Sequence, residues 1–240
     1  MSYSGHDKKN IHIRYVFTPA DGREQYFTVV LDAQTLTVQP DSAASPPQWV
    51  SFEEFRCAHC PVDESRQRYC PVGVNLYSLF ERFNDAVSCE EIDLRVETPR
   101  RQYVQRTSVQ KGLSSLMGIY MAGSSCPVFE PLKPLIRYHL PLAGPEETAY
   151  RIISMYLMAQ YFRAACGKAP DWRMSKLPDM LKAINSANRT VCEKFRSRVR
   201  NDAMLNAIVI LNSTVDFMRM CFDEVILKTI EQDFRGYTVE

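Results

Sequence analysis

Ile11-His12-Ile13-Arg14-Tyr15-Val16-Phe17, Thr18-Pro19-Ala20-Asp21-Gly22-Arg23 and Gln25-Tyr26-Phe27-Thr28-Val29-Val30-Leu31 together set the fold class. Ile11, Ile13, Tyr15 and Phe17 recur with a period of two, and so do Phe27, Val29 and Leu31. Each run therefore presents one apolar face, as a half-buried strand does. Asp21-Gly22 between them is a turn signal, and the pair reads as an antiparallel hairpin. Leu36 to Val38 can add a third short strand, and Pro40 to Pro47, rich in Pro, Ser and Ala, reads as a linker.

Working outward, the same alternation returns at Glu91 to Glu97 through Ile92, Leu94 and Val96. Thr98-Pro99-Arg100-Arg101 is the turn, and Gln102 to Thr107 returns beside it as a second hairpin. Between the hairpins, Ser51-Phe52-Glu53-Glu54 has the capping-box pattern and predicts a short helix running into Cys57. Pro71 opens an amphipathic helix whose stripe is Val72, Leu76, Leu79, Phe80 and Phe83. A helix from about Ser108 to Ala122 follows; its Gly112, Ser114, Ser115 and Gly118 let another backbone come close.

From Pro145 onward the periodicity is helical. Ile152, Ile153, Tyr156, Leu157, Gln160 and Tyr161 share a face, and Cys166-Gly167-Lys168-Ala169-Pro170 stops that helix. A second helix runs from Pro178 toward Val199, and a third from Asp202 to Phe234. The expected fold is α+β: an N-terminal β-hairpin module, a mixed cysteine-rich centre with a second hairpin, and a C-terminal antiparallel helical bundle. The segments are 1–47, 48–144 and 145–240, with one compact domain as the alternative.

The composition excludes several classes of function. Lys plus Arg number 29 and Asp plus Glu 28, a formal net charge of +1, so no overall field draws nucleic acid or an anionic membrane. Met1 to Asn10 is polar, without the apolar core of a signal peptide. The longest apolar run, Ala203 to Leu211, contains Asn206 and is too short to span a bilayer. A cytoplasmic protein is expected. No Gly-x-Gly-x-x-Gly, Walker loop, Gly-x-Ser-x-Gly or His-Glu-x-x-His is present, so common nucleotide and hydrolase chemistries lack their usual signs.

The cysteines carry the strongest chemical signal. With 8 Cys and 14 Pro in 240 residues, about half a Cys-Pro pair is expected by chance, yet Cys60-Pro61, Cys70-Pro71 and Cys126-Pro127 all occur. Cys57-Ala58-His59-Cys60 is a Cys-x-x-Cys turn, which brings two sulfurs to one ion. Cys70 follows within a short loop, and Cys126 repeats the Cys-Pro construction. If Pro71 and Pro127 are first helical residues, Cys70 and Cys126 are N-caps whose thiolates the helix dipole favours. The predicted metal ligands are Cys57, Cys60, Cys70 and Cys126, with His139 or His59 as alternatives for the fourth position. Zinc is the expected ion, and an iron–sulfur cluster on the same cysteines is the alternative. A third option is a thiol enzyme using Cys60 or Cys70 as a nucleophile of lowered pKa. Cys89, Cys166, Cys192 and Cys221 read as ordinary small apolar residues.

Other clusters have plainer readings. Arg100, Arg101, Arg106 and Lys111 could bind a phosphate or carboxylate, but such a group is more often a solvated face. His139 has no carboxylate or nucleophile at a telling spacing, and reads as a hydrogen-bonded structural residue. Asn185, Asn188, Arg189, Asn201, Asn206 and Asn212 could line a polar groove, or make surface and interhelical contacts.

The segment from Cys57 to Phe162 resembles an uncharacterised bacterial domain-of-unknown-function family. The carrying residues are Cys57-Ala58-His59-Cys60-Pro61-Val62, Cys70-Pro71-Val72-Gly73-Val74-Asn75-Leu76, Gln110 to Gly118, Ser124-Ser125-Cys126-Pro127 and His139-Leu140-Pro141. In that pattern a glycine precedes the third Cys-Pro, where this chain has Ser125. The resemblance implies no activity, substrate or catalytic residue. The expected function is a regulatory or interaction protein with a structural zinc, its partner another protein or a second copy, with no nucleic acid and no membrane. Enzyme activity is left open, with the balance against it.

Overall fold

The two hairpins share one sheet. In the computed structural model, which describes residues 9–39, 45–58, 60–221 and 225–238, strands β1 (Asn10–Pro19), β2 (Gln25–Asp32), β3 (Glu91–Glu97) and β4 (Gln102–Ser108) are antiparallel in the order β2-β1-β3-β4. β1 is central: Tyr15 stands opposite Phe27 on one side and Val96 on the other. The alternation read from the sequence is the reason, since Ile13, Tyr15, Phe17, Phe27, Val29, Leu31, Ile92, Leu94 and Val96 are all buried. β2 and β4 are the edge strands, and Val104 of β4 is 70% exposed. Leu36 to Val38 forms no strand; a single bridge joins Val38 to Leu31.

The described residues form eight α-helices: α1 (Pro71–Phe83), α2 (Val109–Ala122), α3 (Lys133–Arg137), α4 (Pro145–Ala165), α5 (Leu177–Arg196), α6 (Ala203–Cys221), α7 (Val225–Asp233) and α8 (Arg235–Thr238). The final helix expected over Asp202 to Phe234 is instead α6 and α7, with 222–224 outside the described residues. α2 lies against the sheet. A Cβ at Gly112 would sit 2.9 Å from Phe17 Cε1 and 3.3 Å from Leu94 Cδ2, so the absence of a side chain sets how closely helix and sheet approach. α6 packs chiefly on α2 and α5, and less on α4. The small residues of α2 thus serve packing within the chain.

The helix expected at Ser51 is absent, because its backbone pairs elsewhere. Ser51 bridges Tyr69, Phe52 N–H donates to the Arg68 carbonyl at 3.0 Å, and Cys70 N–H donates to the Val50 carbonyl at 2.8 Å. Only a 3-10 turn, Gln48–Val50, precedes it. Trp49 from this segment packs against Phe80 of α1 and Phe195 of α5, with ring centroids 5.4 and 5.6 Å apart. These rings fix the segment that leads into Cys57. One continuous apolar core runs from Ile13 in the sheet to Met218 in α6.

Candidate functional site

Cys57, Cys60, Cys70 and Cys126 line a single cavity of about 20 Å³, with Phe52, Phe55, Pro71 and Phe129 among its other walls. Three separate stretches supply the sulfurs. Cys57 and Cys60 sit on one turn, closed by the Cys60 N–H donating to the Cys57 carbonyl at 3.1 Å. Cys70 is the N-cap of α1, with Pro71 as the first helical residue, as the sequence predicts. Cys126 differs from expectation: Pro127 opens a turn rather than a helix, followed by the 3-10 helix Glu130–Leu132. Phe129 and Glu130 N–H groups both donate to the Cys126 carbonyl at 3.0 Å, so one helical turn still follows the cysteine.

Ser125 enters that turn at φ +62°, the left-handed region, where glycine is the residue of least strain. Leu36, Leu142 and Met174 are the other described non-glycine residues at positive φ.

Burial favours the protonated thiol at Cys57, Cys70 and Cys126. Burial pushes the Cys70 thiol up to about 12, while the Gly73 and Val72 amides pull it back and the neighbouring Cys57 and Cys126 push it further. Those amides lower the pKa without closing a cap hydrogen bond. Burial also raises Cys126, against the Val128 and Phe129 amides, with Cys57 and Cys60 raising it again. Cys57 is raised by burial, and the Thr190 hydroxyl of α5 works the other way. Cys70 and Cys126 are only 7% and 8% exposed. This overturns Cys70 as a nucleophile of lowered pKa: the apolar walls outweigh the helix end. Among the described residues, no three His, Cys, Asp or Glu side chains already stand as ligands around a common point. The structure brings the four sulfurs to one cavity, with their thiols unassembled.

His59 lies outside the described residues. His139 stands away from the sulfurs, on the wall of a second cavity. Its Nε2 is 2.5 Å from the Tyr15 hydroxyl, which in turn is 2.8 Å from Ser115 Oγ. Leu142 N–H donates to Ser115 Oγ at 3.2 Å. The Ser115 proton is then free for the phenol oxygen, and the phenol proton for Nε2. Burial, with the Arg151 charge beside it, lowers the His139 pKa to about 3, so the ring is neutral. Burial raises the Tyr15 pKa, against the Ser115 bond, so the phenol keeps its proton. Ser115 reaches the imidazole through Tyr15, and among the described residues no hydrogen bond links the ring to a carboxylate. The reading of His139 as a hydrogen-bonded structural residue agrees with this geometry.

The second cavity, about 430 Å³, lies between α2, α5, α6 and the stretch from Leu132 to Ile152. Lys111, Ser114, Arg151 and Asn188 are on its walls; the sequence offered Lys111 as an anion-binding candidate and Asn188 as a groove residue, and it gave no sign of Arg151. The small-residue spacing of α2 was the available signal: Ser114, Ser115 and Gly118 all face this space. Of the basic cluster, Arg106 pairs with Glu91 at 2.7 Å across the second hairpin, and Arg100 and Arg101 are exposed. Asn185 donates to Asp216 at 3.0 Å, an interhelical bond of the expected kind. Cys89 and Cys166 are exposed, Cys192 is buried on α5, and the Cys221 side chain lies outside the described residues.

Among the described residues no helix is long and apolar enough to cross a membrane. Neither a search of curated proteins nor one of solved structures finds a match. A family of unknown function does match, over residues 11–235, nearly the whole chain. The chain belongs to the family described as Domain of unknown function (DUF6901).

Proposed function

We propose that the chain is a regulatory or interaction protein in which Cys57, Cys60, Cys70 and Cys126 hold one structural zinc ion. The observation that carries this reading is the meeting of four sulfurs from three segments on one cavity of about 20 Å³. That is close to the space one water-sized sphere occupies. Zinc takes four thiolates tetrahedrally, with sulfur at about 2.3 Å. Binding would displace the thiol protons and draw the sulfurs together, so that affinity rises with pH.

On this reading the ion ties the Cys57 turn, the start of α1 and the turn at Cys126 to one another. It contributes folding energy rather than a reaction. The size of the cavity favours a single ion over an iron–sulfur cluster. The seven described cysteines are all free thiols, which supports the cytoplasmic setting, where thiols stay reduced. The partner on this reading is another protein or a second copy of the chain.

Elemental analysis and a visible spectrum of protein purified without a metal-chelating tag test it. The expected result is close to one equivalent of zinc in a colourless preparation. Iron with visible absorption would replace zinc by the cluster. A small fraction of an equivalent of either metal would overturn the reading.

A further inference from the structure

The cavity between α2, α5 and α6 is separate from the sulfurs, and its chemistry is that of a ligand site. Its volume of about 430 Å³ falls in the range of small-molecule pockets. Ile119, Ile136, Leu142, Ile184, Leu211 and Val215 give it an apolar body. Among the described residues, Lys111 and Arg151 are the charged ones on its walls and no Asp or Glu lines it, although the Glu147 charge acts on Arg151 from outside the lining. The guanidinium of Arg151 is fixed by donating to the Leu135 and Tyr138 carbonyls at 3.0 and 2.9 Å. It lies close enough to His139 to act on that ring's charge.

A second observation points independently to a ligand. Asn188 is 3% exposed, lines this cavity, and its Oδ1 has no hydrogen-bond partner. Buried amides are almost always satisfied, because an orphaned one loses its hydration without return. A carboxylate brings no hydrogen to Oδ1, but turning the Asn188 amide about its terminal bond presents the NH2 group there as a donor to an anionic head.

We propose that this cavity binds an anionic amphipath, a carboxylate on an apolar body of medium length, its head drawn to Arg151 and Lys111 and its body held among α2, α5 and α6. Charge complementarity selects the head. A neutral molecule of the same length keeps the apolar contacts and loses the charge-assisted hydrogen bonds. This proposal does not depend on the cysteines, and its test is read on the metal-loaded or metal-free chain alike.

The experiment is calorimetric titration of the full chain with sodium decanoate below its micellar concentration, with 1-decanol as the uncharged comparison. Saturable binding at one site is expected, with 1-decanol about tenfold weaker or worse. Gly118→Leu fills the space, since a Cβ there would meet only Leu211 Cδ2 at 3.8 Å, and is expected to abolish decanoate binding. Lys111→Glu, at an exposed residue, is expected to weaken decanoate about tenfold and leave 1-decanol unchanged. Absence of saturable decanoate binding would overturn the proposal. So would equal affinity for 1-decanol, or unchanged decanoate binding in a folded Gly118→Leu or Lys111→Glu protein.

Discussion

The hydroxyl of Tyr15 lies 2.5 Å from Nε2 of His139. This bond joins the central strand of the sheet to the loop between α3 and α4, and Ser115 Oγ on α2 completes it at 2.8 Å. Three elements distant in sequence are thereby fixed around one phenol. The arrangement holds only while the imidazole is neutral, because a protonated ring would offer Tyr15 a donor where it now accepts.

Stability should therefore depend on acid. The His139 pKa is depressed to about 3 from an ordinary 6.5, so the unfolded chain binds this proton first as pH falls. This contribution is full above about 6.5 and is lost on acidification from there toward 3. The groups acting on the ring are Arg151 on α4 and Tyr15 on β1. Chemical denaturation between pH 7 and pH 4 should show the loss, at most about 3 kcal/mol in that window. His139→Gln keeps an acceptor for Tyr15 and should flatten the slope in that window. An unchanged slope would remove His139 as its source.

Tyr15→Phe keeps the apolar ring and deletes the hydroxyl. It leaves Nε2 of His139 and Oγ of Ser115 without this partner, at a cost of about 1–3 kcal/mol. Equilibrium unfolding in urea measures it, and a cost below about 0.5 kcal/mol would show the network to be unimportant to stability.

Two backbone positions should respond in opposite senses. Ser125 sits at φ +62°, so Ser125→Gly should relieve about 1 kcal/mol, less its long contact with Thr37 Oγ1 at 3.5 Å. Gly112→Ala gains about 1 kcal/mol of helix propensity. Against that, its methyl would lie 2.9 Å from Phe17 Cε1, a ring packed at 5.2 Å from Phe83 and 5.7 Å from Phe27. Phe17 cannot yield cheaply, so a net loss of about 1–2 kcal/mol is expected. Thermal melts of the two variants check both signs.

The cysteines should divide by reactivity. In metal-free native protein at neutral pH, a thiol-exchange reagent should react promptly with exposed Cys89 and Cys166, and slowly with Cys70 and Cys126. Fast labelling of Cys70 would contradict its pKa of about 12. Cys70→Ser should lower melting temperature and metal content together. Lower stability with full metal content would show that Cys70 packs but does not ligate.

The sheet was legible because its strands are half-buried, and Ile13-Tyr15-Phe17 and Ile92-Leu94-Val96 write that burial as strict alternation. Periodicity carries no partner, so the pairing of β1 with β3 came only from the structure. The capping-box pattern at Ser51 misled for a related reason: a local pattern gave way to long-range bonds with Arg68 and Cys70. The four cysteines were legible as a group through Cys-x-x-Cys and repeated Cys-Pro, and the structure puts them on one cavity wall. Pro127 was read as a helix start, although the same dipeptide also begins a tight turn. The larger cavity left little trace, because Ser115, His139, Arg151 and Asn188 come from four different stretches at no fixed spacing.

X-ray absorption at the zinc edge, on protein carrying its native metal, tests the central claim most directly. The account expects a shell of four sulfurs at about 2.3 Å, reduced to three when Cys126 is replaced by serine. A shell of oxygen and nitrogen, or zinc absent from protein purified without chelators, would contradict it.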